Sequence, residues 1–173
     1  MPIDWPGLNE KDYSEKIRAI EDEHRDEGIW PPHGEYPHRY GRIADELIPE
    51  VEGMDFGRMD ILDVGASKGE GIRCLKEKID EETDIDEIYA TSLDPNPNLL
   101  EENKRQGNSD SYVVATGQNL PFEDGSFEIT TCVEVVSYLP NGHRKKITSE
   151  VERVAKNFVG IGMNHGFDVY TVQ

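Results

Sequence analysis

From Met59 onward, short apolar runs alternate with stretches of helical periodicity, and this alternation leaves few folds open. "DILDVG" is a short apolar strand, and "EGIRCLKEKIDEE" after it sets Ile72, Leu75 and Ile79 on one helical face. "DEIYATSLD" predicts a second strand, "NPNLLEENKRQG" a helix ended by Gly107, "SYVVAT" a third strand, and "SFEITTCVEVV" a fourth running to its end. "GHRKKITSEVERVAK" reads as a helix and "NFVGIGM" as a fifth strand. Strands joined by helices of about a dozen residues need right-handed crossovers, so the sheet is mainly parallel. The expected class is α/β, a doubly wound sheet of five to six strands with helices on both faces. There is no internal repeat and no low-complexity tract.

Residues 1–58 read differently. "NEKDYSEKIRAIEDEHRDEG" has Tyr13, Ile17 and Ile20 at helical spacing, with Gly28 as a stop. "IWPPHGEYPH" follows as a rigid, extended loop on account of its three prolines and a glycine. A second helix is expected in "RYGRIADELIPEV", ending near Pro49. The chain therefore divides into an N-terminal helical lid or cap, residues 1–58, and a core, residues 59–173.

In an open parallel sheet, ligands bind beyond the carboxyl ends of the strands, where the strand order reverses. Gly65, Gly69 and Gly71 stand directly after the first strand, where glycine permits positive φ and lets a ligand approach bare main chain. Their spacing, G-x-x-x-G-x-G, is neither the dinucleotide fingerprint nor a P-loop, because no lysine and hydroxyl pair follows the last glycine. By themselves these glycines also fit a tight strand-to-helix turn. Asp94 ends the second strand 23 residues after Gly71, where a carboxylate can accept both hydroxyls of a ribose or cap the helix of "PNPNLLEE".

Charge removes several classes of partner. Thirty-six acidic residues against eighteen basic ones give a net charge of -18, spread along the chain. Such a surface repels phosphate backbones, and "HRKK", His143 to Lys146, is a short basic cluster that reads as a solvated helix face. Abundant acid at low hydrophobicity suits concentrated salt, so a halophilic source is expected. Cys74 and Cys132 lie far apart with no zinc-site spacing, His33 and His38 match no metal motif, and no metal is expected. The start "MPIDWPGLNE" lacks the features of a signal peptide, and no run approaches the ~20 apolar residues of a membrane span. A soluble, cytoplasmic protein that does not bind membranes is expected.

The glycine turn, Asp94, and "ATGQNLPFEDGSFEITTCVEVVSYL", in this order and at these distances, resemble the Rossmann-like class I S-adenosylmethionine-dependent methyltransferases. The likeness is to the branch in which an "LPF-x-D-x-SFD" stretch precedes strand four, and it covers about Asp60 to Met163. It implies S-adenosyl-L-methionine as cofactor, with Asp63, Gly65, Ala66, Ser67 and Gly69 around its methionine part. Asp94 would hold the ribose and Pro95 would lie beside the adenine. Gly117 and Gln118 would meet the adenine edge, while Cys132 and Val133 would line the sulfonium end. The chain departs from the family in three places. Thr116 replaces the usual acid that accepts the adenine amino group, and Glu128 replaces an Asp. Only ten residues follow Met163, where the family normally adds a helix and a two-strand hairpin. "FDVYTVQ" supplies at most one strand, so strand five is expected to present an edge that a homodimer, a partner chain or the N-terminal helices would cover.

Methyl transfer is an in-line displacement at an activated carbon, so the protein contributes mostly orientation and a dry pocket. A neutral acceptor would need a base, for which Tyr138, His143 and His165 are the candidates near the mouth. Each also has a packing or loop reading. Trp30, Tyr36, Arg39 and Tyr40 could form a lid, the aromatics facing the sulfonium, or Trp30 and Tyr36 could simply pin the helix to the sheet. "VEVVSYLP" has neither the Asn/Asp-Pro-Pro-Tyr segment nor the Pro-Cys pair of base methylation, and "DPNP" falls on the wrong strand, so a small-molecule acceptor is expected and nucleic acid is not. The alternatives are a non-catalytic methyltransferase-like binding or assembly module, and an enzyme of a nicotinamide dinucleotide, with which the glycine spacing disagrees.

Overall fold

The computed structural model describes residues 15, 19, 36–136, 139, 141–163 and 166–172. The first helix expected from the sequence lies almost wholly outside these residues. The described elements are α1 (Tyr36–Val51), β1 (Met59–Val64), α2 (Glu70–Glu82), β2 (Ile88–Asp94), α3 (Pro97–Gln106), β3 (Ser111–Val114), β4 (Phe127–Val133), α4 (Asn141–Val154), β5 (Ala155–Met163) and β6 (Gly166–Thr171). The sheet order is β3-β2-β1-β4-β5-β6. Every pair is parallel except β5 with β6.

The strands follow from what they bury. All seven residues of β4 are buried, as befits a central parallel strand covered on both faces. Its alternate side chains feed two cores. Ile61, Ala90, Ile129, Val133 and Phe158 pack with α1 and α2, whereas Leu62, Val64, Leu93, Cys132 and Val159 pack with α4. On the first face, α3 joins through Asn103, whose amide donates to the Ser92 hydroxyl at 2.9 Å.

Two sequence expectations shift. The segment read as a loop up to His38 is already helical from Tyr36, with Pro37 in the first turn, where its missing N–H has no intrahelical partner to lose. The same helix runs past Pro49 to Val51. Tyr40, Ile43, Ala44, Leu47 and Val51 form one buried stripe, and seating Val51 in the core at about 1.5–3 kcal/mol offsets the bond that Pro49 removes.

The outer edge of β5 is covered by this chain itself. β6 pairs with it from Met163↔Gly166 to Phe158↔Thr171, so the expectation of a homodimer or partner chain at that edge is corrected. The single strand available in "FDVYTVQ" is enough. Phe167 and Val169 of β6 pack toward α1, and Arg42 of α1 lies 4.8 Å over the Phe167 ring. No helix among the described residues is long and apolar enough to cross a membrane.

Candidate functional site

The order reverses between β1 and β4, which places the candidate crevice at their carboxyl ends. The turn after β1 is stitched to the end of β2, because Gly65 N–H and Ala66 N–H both donate to the Leu93 carbonyl, at 2.8 and 3.0 Å. Ser67 then donates its N–H to Asp94 Oδ2 at 2.8 Å while holding φ at 51°, a left-handed conformation that costs a non-glycine residue energy. Asp94 Oδ1 accepts from Asn96 N–H at 2.8 Å. Asn96, not Asp94, caps α3, its side chain accepting from Asn98 N–H at 3.1 Å. The carboxylate that the sequence singled out is thus bonded directly to the glycine turn, and it is 2 % exposed.

The glycines have separate reasons. Gly65 and Gly69 both hold φ at 78°, and a Cβ on them would lie 2.1 Å from Val135 Cγ2 and 2.3 Å from Asn103 Nδ2. Gly71 yields its space to the Tyr40 ring, 2.2 Å from the position of an added Cβ. Close approach is therefore required at all three, and the approaching atoms belong to α1, α3 and the segment after β4.

Beneath the turn, Asp63 is fully buried at the end of β1. Its Oδ1 accepts the Thr131 hydroxyl at 2.8 Å, and both its oxygens lie 2.9 Å from the donating Tyr40 hydroxyl. Burial pushes the Asp63 carboxyl up to about 7, against the pull of the Thr131 and Tyr40 bonds and with a small push from Asp94. One residue before Tyr40, the Arg39 guanidinium pairs with the carboxylate of Glu134, which directly follows β4 at φ 63° and is 7 % exposed. The first turn of α1 is therefore fastened to the ends of both β1 and β4. Neither Glu134 nor Thr131 was singled out by the sequence reading. A charge interrupting the apolar run "TCVEVV" was the available signal for Glu134.

Thr116 and Gly117 are buried after β3, and Gln118 meets the Nδ1 side of the His143 ring in the first turn of α4. The two halves of the expected mouth, one read as adenine edge and one as candidate base, thus touch. Pro95 is half-buried beside Asp94. Cys132 and Val133 point to opposite faces of the sheet, each into a core, so their contribution to the crevice is main chain. Burial, then the Asp63 charge, pushes the Cys132 thiol up and keeps it protonated.

The "LPFEDGSF" stretch is a structural staple. Arg153 of α4 donates to the carbonyls of Leu120 and Phe122 and to Asp124, at 3.1, 2.8 and 2.8 Å, and is itself clamped by Glu150. Glu150 also accepts Leu120 N–H at 2.8 Å, and the Arg153 bond holds its carboxyl below the usual range. Glu128, the departure from Asp, reaches Asp60 N–H of β1 at 2.9 Å and Lys156 at 3.0 Å. Its extra methylene lets it bridge two strands.

Tyr138, His165 and Trp30 lie outside the described residues. Tyr36 opens α1. A cleft at the other end of the sheet is lined by Val51, Met54, Phe56 and Ile85 among acidic residues, away from every group named above.

The sequence profile of a methyltransferase domain matches residues 62–158, more than half of the chain. Among curated proteins no sequence matches. Of the solved structures, a candidate methyltransferase of Bacillus halodurans is similar at 21% identity and a TM-score of 0.51, over 70% of this chain and 49% of that one. A candidate S-adenosyl-L-methionine-dependent methyltransferase of Methanococcus maripaludis is similar at 15% identity and a TM-score of 0.54, over 95% of this chain and 69% of that one. A chain in the complex of the Haloferax volcanii Trm112 methyltransferase activator with a candidate methyltransferase is similar at 20% identity and a TM-score of 0.53, over 80% and 55%. The chain spans about half the length of the Bacillus halodurans protein. With a matching profile laid over a sheet that reverses between β1 and β4, the chain belongs to the methyltransferase domain family and has the fold of the class I S-adenosylmethionine-dependent methyltransferases.

Proposed function

We propose that the chain is an S-adenosyl-L-methionine-dependent methyltransferase that acts on a small-molecule acceptor, in the cytoplasm and in concentrated salt. The observation that carries the reading is the Ser67 N–H bond to Asp94 Oδ2, which makes the glycine turn and the acid one unit at the switch point. The residues fit the cofactor. A carboxylate with its orientation fixed by two main-chain donors suits a ribose diol, and the turn after β1 that donates to it sits at the switch point where a nucleoside binds.

When bound, the cofactor supplies a methyl group on a sulfonium. The chain's own residues do the rest by binding and exclusion. Asp94 grips the sugar, Pro95 and the Thr116–Gln118 segment flank the base, and Asp63, Ala66 and Ser67 surround the methionine end. The main chain of Cys132 and Val133 borders the sulfonium. Arg39 and Tyr40, with α1 behind them, close the crevice against water. Asp94 is 2 % exposed, its carboxylate turned to the Ser67 and Asn96 N–H groups. The net charge of -18 disfavours a polyanionic acceptor, which supports a small molecule.

That same burial favours a second reading, a non-catalytic module in which the crevice stays shut. Calorimetry at high salt separates the two. The methyltransferase reading expects S-adenosylmethionine and S-adenosylhomocysteine to bind and NAD not to, with Asp94→Ala weakening both by about tenfold or more. A folded protein that binds neither sulfur nucleoside supports the module instead.

A further inference from the structure

We propose that Tyr40 is a positioning residue, whose hydroxyl, delivered from α1, holds the Asp63 carboxylate in place at the end of β1. The inference rests on reading this crevice as the cofactor site.

The geometry is specific. One phenol donates toward both oxygens of Asp63, 2.9 Å from each, while Thr131 donates to Oδ1 at 2.8 Å. Both hydroxyls are placed to donate to carboxylate oxygens, as an ionised carboxylate, which can only accept, requires. The Tyr40 ring is 4 % exposed and fills the notch that Gly71 leaves, so the hydroxyl arrives on a ring with little freedom to turn away. The groups acting on Asp63 come from each neighbouring element. They are the Tyr40 phenol of α1, Asp94 at the end of β2, and the Thr131 hydroxyl and Cys132 thiol of β4. The Arg39–Glu134 pair sits one residue away on α1 and just beyond β4, each charge answered by the other. Against a burial that favours the neutral acid, the two hydroxyls are what sustain the charge.

Tyr40→Phe keeps the ring in the Gly71 notch and removes only the donor. The first measurement is a carboxyl carbon-13 NMR titration of the full chain without cofactor, with the Asp63 signal identified by its loss in Asp63→Asn. The Asp63 midpoint is expected to rise by about one pH unit in Tyr40→Phe. Thr131→Val, lacking the other donor, should move it the same way. An unchanged midpoint in Tyr40→Phe overturns the proposal and leaves Tyr40 as packing alone.

The second measurement is calorimetry with S-adenosylhomocysteine. Affinity in Tyr40→Phe should fall about threefold at pH 7.5 and return toward the wild-type value by pH 9, as the ionised fraction recovers. A loss equal at both pH values counts against positioning. If the midpoint moves but neither protein binds the nucleoside, the role of Tyr40 stands and the cofactor reading falls.

Discussion

The two ends of the sheet handle acidic residues in opposite ways. At the carboxyl ends of β1, β2 and β4, Asp63, Asp94 and Glu134 are buried, and each is met by named partners: two hydroxyls, two main-chain amides and a guanidinium. At the other end Glu52, Asp55, Glu81, Glu82, Asp84 and Asp86 rim an open cleft and are all exposed. Burying a charge is costly unless it is paired and hydrogen-bonded, so the carboxylates at one end are held by partners, whereas those at the other stay solvated. The acids at the strand carboxyl ends are fixed by partners, whereas those around the cleft face solvent.

The largest effect should come from glycines with similar backbones in different surroundings. Gly65 and Gly53 hold φ at 78° and 81°, but an added Cβ meets Val135 at 2.1 Å in the first and nothing within 4 Å in the second. Gly65→Ala should lose about 3 kcal/mol or more, and Gly53→Ala about 1–2 kcal/mol for the left-handed backbone alone. Urea unfolding of both would show it, and equal losses would erase the distinction between the two ends.

Next in size is the matched pair Asp94→Ala and Asp84→Ala. The first strands the N–H groups of Ser67 and Asn96, at about 1–3 kcal/mol, and the second should stay within about 0.5 kcal/mol. A similar pair of midpoints would mean that the Asp94 bonds carry no weight.

The subtlest effect is on pH. Burial pushes the Asp63 carboxyl up to about 7 in the folded chain from an ordinary value of 3.8, so the folded state holds the extra proton between these values. Its contribution to stability is therefore fully present below about pH 4 and is lost as pH rises toward 7. Thermal melts from pH 4.5 to 8 should show Asp63→Asn flattening that decline relative to the wild-type chain. A decline of the same slope in Asp63→Asn and wild type would contradict the assignment.

Much of this architecture can be read from the chain because periodicity reports burial. The five strands from Met59 and the helices between them follow from which residues are apolar and how far apart they stand. Asp94 and the glycine turn were legible for a related reason: a strand end has few positions, and theirs are filled by unusual residue types. What the sequence hid depends on contacts across the chain. Nothing local to Tyr40 says that its hydroxyl meets Asp63, 23 residues away, or that Arg153 will gather the carbonyls of Leu120 and Phe122. Pro49 misled because a local breaker yields to the burial of Val51 beyond it. The covered edge of β5 was missed although "FDVYTVQ" was read as able to supply one strand, because a strand pattern does not say which edge it will pair with.

The comparison of the two ends is tested most directly by a crystal structure of the protein grown with S-adenosylhomocysteine. The account predicts density at the carboxyl ends of β1, β2 and β4, with the ribose hydroxyls on Asp94 and the glycine turn against the thioether chain. Density in the acidic cleft beside Met54 and Phe56, or an empty crevice in crystals grown at saturating nucleoside, would contradict it.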